Sequence, residues 1–171
     1  DAATGAANRV TISDFEDEGA VVGDIIKLDA DDTTDATAVG SAPVVKTTAT
    51  AAASGGALAI DGGTGSDAFD ILEITVDNNA NSALSEDFVD GGNGDHLLEN
   101  IGPANDATTT GITVTGTHKF FIIAYDDGNA YIYAASNAAG NNLLVEGEIT
   151  PIATVTGITA GGFIADDFLL A

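Results

Sequence analysis

Cysteine, methionine and tryptophan are absent from this 171-residue chain, and proline occurs only three times. Without cysteine there can be no disulfide framework, no thiolate zinc site and no cysteine nucleophile. Cations are nearly missing as well: Arg9, Lys27, Lys46 and Lys119 stand against 27 Asp and Glu, for a formal charge of -23. Four scattered cations cannot neutralise a phosphate backbone, so nucleic acid is not an expected partner. An anionic membrane surface would repel such a chain. No apolar run approaches the ~20 residues needed to cross a bilayer, so no membrane-spanning segment is expected. The chain also lacks an N-terminal signal pattern and begins with Asp rather than Met, as a processed chain or a fragment would.

Histidine is scarce too. His96 falls in an expected loop and His118 at the start of an expected strand. Neither is accompanied by a nucleophile motif such as G-x-S-x-G, and there is no clustered set of histidines for a zinc site. Paired carboxylates could perform glycoside chemistry, but among 27 acids some pairs approach by chance. No enzymatic activity is therefore expected.

What the chain does contain is apolar surface: 44% of its residues are hydrophobic, which sets it apart from a disordered acidic tail. Self-repulsion at a charge of -23 disfavours a compact state unless counter-ions bind, and divalent cations are the natural choice. A composition rich in Ala, Gly, Thr, Asp and Asn points to an extracellular microbial protein stabilised by calcium instead of disulfides.

The apolar residues are distributed in short runs. Strands are expected within Arg9–Phe15, Asp24–Asp32, Ala42–Thr50 and Ala68–Asp77, the last with a slip in its alternation near Leu72 and Glu73 that suggests a bulge. "GITVTG" reads as a further strand. Lys119–Tyr125 and Ala130–Ala134 read as a hairpin around "DDGN". "NNLLVEGEI" and "IATVTGI" read as two more strands. Asn81–Phe88 suggests one or two helical turns, and another is expected around Ile164–Phe168. Eight or more short strands with Gly/Asp-rich turns predict an all-β fold, a sandwich or a roll. The expected organisation is a small-residue arm at 1–8 followed by a single domain at 9–171, with a loose Ala/Thr-rich insert at 33–56.

Two glycine–aspartate loops are the candidate sites. Calcium takes six to eight hard oxygen ligands from carboxylates and carbonyls. Glycines allow the tight backbone that turns carbonyls inward. Gly62–Asp70, "GGTGSDAFD", matches the calcium-binding nonapeptide G-G-x-G-x-D-x-U-x at every specified position. The candidate ligands here are Asp67, with Asp61, Asp70 and the backbones of Gly63 and Gly65, while Phe69 is the apolar residue expected to turn into the core. The second loop, "GGNGDHLLE" at Gly91–Glu99, is a degenerate copy: His96 holds the aspartate position, and Asp90 and Asp95 are its candidate ligands. "LDADDTTD" adds Asp29 and Asp31. A glycine-rich turn between strands often carries Asp and binds nothing. The two copies are 29 residues apart (62 to 91), which does not fit a stacked roll of consecutive repeats. An EF-hand reading of "VDNNAN" fails, because the glycine at position 6 and the Glu at position 12 are missing.

In their order along the chain, these segments resemble the C-terminal domain of RTX-type proteins exported by type I secretion. "NRVTISDFEDEGAVVGDIIKLDA" is similar to that family's "D-x-I-x-D-F … G-D-x-I-D-L" segment. Val10, Ile12, Asp14, Phe15, Gly23, Asp24, Ile26 and Leu28 hold the matching positions, and Lys27 replaces the common second Asp. "FFIIAYDDGNAYIYAASNAAGNNLLVEGEI" resembles the following hairpin, and "ITAGGFIADDFLLA" the family's ending. The resemblance covers about two thirds of the chain. It implies bacterial secretion, an export signal at the C-terminus and calcium-driven folding outside the cell. Such domains occur on enzymes, adhesins, toxins and surface-layer proteins. Two roles follow as expectations. One is a calcium-binding structural protein that self-assembles into a filament or surface layer as a homopolymer, with a cell-surface glycan as a further candidate partner. The alternative is the export and folding module of a larger secreted protein.

Overall fold

The computed structural model describes residues 10–16, 23–29, 43–48, 58–60, 69–77, 84–89, 94–101, 112–114, 117–137 and 144–171. These form ten strands: β1 (Val10–Ile12), β2 (Ile26–Leu28), β3 (Val45–Thr48), β4 (Leu58–Ile60), β5 (Ile71–Asp77), β6 (Ile112–Val114), β7 (Lys119–Asp126), β8 (Asn129–Ser136), β9 (Ile149–Thr156) and β10 (Phe168–Leu170). Helical structure among the described residues is confined to α1 (Asp95–Ile101) and two 3₁₀ helices, Leu84–Phe88 and Ala165–Asp167. The protein is all-β in character.

The largest sheet has six strands in the order β1-β9-β8-β7-β5-β3. Its centre is antiparallel, β7 with β8 and β8 with β9, whereas β1 on β9, β5 on β7 and β3 on β5 pair in parallel. Parallel neighbours require a crossover. Between β5 and β7 the chain carries the first 3₁₀ helix, α1 and β6. The expected irregularity in β5 appears as a register shift between Glu73 and Asp77. Two parallel pairs, β10 with β2 and β4 with β6, complete the sheets. Val45–Thr48, from the Ala/Thr-rich stretch, is a strand of the main sheet.

β7 explains the layering. "FFIIAYD" is buried at every position, as a nearly continuous apolar run is when both faces of a sheet are covered. Phe120, Ile122 and Ala124 join Leu84, Leu97, Leu98 and Val114 in one cluster. Phe121, Ile123 and Tyr125 join Leu28, Phe163, Phe168 and Leu170 in the other. The 3₁₀ helix Leu84–Phe88, α1 and β6 therefore pack on one face of the sheet, and β2, β10 and the C-terminal segment on the opposite face.

Two expectations are corrected. "NNLLVEGEI" is not a strand over its described part: Val145–Glu148 is a turn closed by Glu148 N–H to Val145 O (3.1 Å) with Gly147 at φ 82°, and the strand begins at Ile149. The second glycine–aspartate loop becomes helical from Asp95, because Leu97 and Leu98 bury against the sheet. The helical turn expected around Ile164–Phe168 is present as the 3₁₀ helix Ala165–Asp167, which runs straight into β10.

Candidate metal centre

Asp87 is brought to its place by the 3₁₀ helix Leu84–Phe88. Leu84 anchors that helix in the core, and its N–H donates to Asp126 Oδ2 at 3.1 Å. Phe88 packs its ring against Tyr131 and Tyr133, at centroid distances of 5.4 and 5.5 Å. Asp87 itself is fully buried. The first N–H groups of a helix have no partner within it. Here Asp87 supplies the acceptors, taking the His96 N–H on Oδ1 (3.1 Å) and the Leu97 N–H on Oδ2 (3.0 Å).

That contact draws His96 into a ring of carboxylates. Its Nδ1 lies 3.2 Å from Asp87 Oδ1 and 3.2 Å from Asp95 Oδ1, and its Nε2 lies 2.8 Å from Glu86 Oε2. Burial and the contact with the Asp95 carboxyl push Asp87 up to about 6, against the lowering effect of the N–H groups it accepts. Asp95 moves the other way. Its partial burial is outweighed by the bond to Asp87 and the charge of His96, and its pKa falls. Partial burial would lower His96, but Asp95, Asp87 and Glu86 together raise it. Two carboxyls in contact beside an imidazole repel unless a proton or a cation lies between them. One ligand atom from each of Asp87, Asp95 and His96 falls within 4.8 Å of the others.

No family model, curated protein or solved structure matches this chain.

Of the residues expected from sequence to bind calcium, Asp95 is the one in this cluster. Asp70 stands at the head of β5, almost fully buried, and its Oδ2 accepts the Val44 N–H at 2.8 Å, tying β5 to the entry of β3. Asp29 is exposed just past the end of β2. Asp31, Asp61, Gly63, Gly65, Asp67 and Asp90 lie outside the described residues. Phe69 turns into the core as expected, edge-on to Phe120 at 5.4 Å.

Sequence reasoning missed Asp87, Glu86 and His96. In the sequence His96 counts against a calcium loop, because it stands at the loop's aspartate position. The usable signal was "SEDF" followed closely by "DHLL", two acid-bearing turns with apolar anchors that can dock side by side. No helix among the described residues is long and apolar enough to cross a membrane.

Proposed function

We propose that this chain is a secreted, calcium-binding structural protein without catalytic activity that self-assembles outside the cell as a homopolymer. The observation that carries this reading is the pair of outermost strands of the main sheet. Among the described residues these are β1 and β3, both short, with Val10 of β1 54% exposed and Val44, just before β3, 44% exposed. Edge strands with open backbone groups and apolar side chains are templates for pairing with another chain. The charge of -23 supports the part given to calcium, since acidic subunits repel until a cation bridges them. Sheets covered on both faces favour a sandwich or roll that presents only its edges.

Light scattering during a calcium titration of the purified chain, reversed with chelator, tests the proposal. Growth to large particles that dissolve on chelation is the expected result. Deleting residues 1–8, which precede β1, should abolish that growth, and unchanged polymers would remove the arm from the assembly. Asp67→Ala should raise the calcium needed for folding.

A chain that stays monomeric throughout would favour the second reading, an export and calcium-dependent folding module of a larger secreted protein. What speaks for that reading is that the first and last of the segments resembling RTX-type C-terminal domains pair with each other, β2 on β10.

A further inference from the structure

We propose that Asp87, Asp95 and His96 form a binding site for a divalent transition metal of the zinc class, with Asp95 serving this metal rather than the calcium expected at its loop. The donor set is the first reason. Calcium is held by oxygen ligands, whereas an imidazole nitrogen with carboxylates suits zinc, cobalt or nickel. The second is spacing. Ligands about 2.0–2.1 Å from a tetrahedral centre stand about 3.3–3.4 Å from one another. His96 Nδ1 is 3.2 Å from Asp87 Oδ1 and 3.2 Å from Asp95 Oδ1, so two edges of such a tetrahedron are already formed.

The third reason lies behind the cluster, in β8. The Tyr133 hydroxyl is buried without a hydrogen-bond partner among the described residues. A buried hydroxyl left this way costs free energy. The hydroxyl interacts with the buried Asp87 carboxylate, without reaching the geometry of a full hydrogen bond. A donor held behind a ligand carboxylate is the usual device for orienting that ligand on a metal. Glu86, more than half exposed and 2.8 Å from His96 Nε2, fixes the imidazole from its other nitrogen. The metal takes the place of the proton between Nδ1 and the carboxylates and ties the 3₁₀ helix Leu84–Phe88 to α1 over one face of the sheet.

The site stands independently of calcium-driven assembly. The test is calorimetric titration of the full chain with zinc chloride in excess calcium, together with the visible spectrum of the cobalt(II) form. One zinc per chain is expected, undisplaced by calcium, with cobalt showing the intense bands of a tetrahedral site. His96→Ala and Asp95→Asn should each weaken zinc binding at least about tenfold, and Tyr133→Phe by about tenfold. Far-UV circular dichroism checks folding. Asp95 is part-exposed, so Asp95→Asn serves if His96→Ala does not fold. No saturable zinc binding, binding unchanged in both ligand variants, or equal displacement by calcium would each overturn the site. Zinc binding that persists in a chain showing no calcium-dependent particles would sink only the assembly reading.

Discussion

At Gly94 the backbone has φ 75°, and an added Cβ would stand 2.4 Å from Ile149 Cβ. Left-handed backbone costs a non-glycine residue roughly 1–2 kcal/mol, and forcing a methyl into a packed core about 1–3 kcal/mol more. Gly94→Ala should therefore lower stability by about 2–5 kcal/mol, read from the urea midpoint. The glycine of the second loop serves close packing under α1. At Glu73, almost fully buried, the carboxylate accepts the Tyr125 hydroxyl at 2.5 Å and the Thr47 hydroxyl at 3.4 Å. Tyr125→Phe strips a buried acceptor of its main donor and should cost about 1–3 kcal/mol. Glu73→Gln keeps an acceptor oxygen and should cost less, so the reverse order of unfolding midpoints would contradict this pairing. All three tyrosines have raised pKa values, in each case first through burial, then through Glu73 for Tyr125, Asp126 for Tyr131 and Asp87 for Tyr133. Above the ordinary value of 10 the unfolded chain has released phenol protons that the folded chain still holds, so stability falls as pH rises past 10. Phenolate absorbance should grow together with the loss of sheet circular dichroism. Tyrosines that ionise near 10 with the sheet intact would refute this.

Among the elements, β10 offers the clearest test of packing. Phe168 and Leu170 are buried while Leu169 is half-exposed, and Phe168 lies 5.1 Å from the Phe163 ring. Phe168→Ala should cost about 3–5 kcal/mol, whereas Leu169→Ala should cost about 1 kcal/mol or less. Similar losses at both positions, measured by denaturant unfolding, would mean the strand does not present one face to the core. The β7–β8 hairpin was legible in the sequence, because Asp127 (φ 49°) and Gly128 (φ 74°) are the residue types that the two-residue primed turn demands. β10 was not legible as a strand. "FLL" is too short to show a period, and its partner β2 lies at the other end of the chain. "VEGEI" alternates like a strand, but Gly147 at positive φ and the Glu148 carboxylate, which accepts the Val145 N–H at 3.1 Å, make it a turn.

For the whole molecule the governing quantity is the charge of -23 around a sheet whose two faces are both buried. Salt should stabilise it by screening, within a Debye length of ≈ 8–10 Å at 0.1–0.15 M. Calcium at matched ionic strength should stabilise it further, by about 1.4 kcal/mol per site at ten times the dissociation constant. Equal thermal midpoints in sodium and calcium salts of the same ionic strength would reduce calcium to a screening ion and remove the calcium sites.

Local chemistry determined much of this protein. Short apolar runs between Gly, Asp and Asn clusters specify strands and turns, because side-chain period and backbone φ preferences act over only a few residues. The tertiary structure decided what meets across the chain. Parallel neighbours such as β1 on β9 and β2 on β10 are set by which apolar faces must cover the central sheet. The cluster of Asp87, Asp95 and His96 is likewise a product of packing. It exists because Leu84, Phe88, Leu97 and Leu98 anchor two short helical turns side by side on that sheet, and no spacing within the sequence encodes the distance between them.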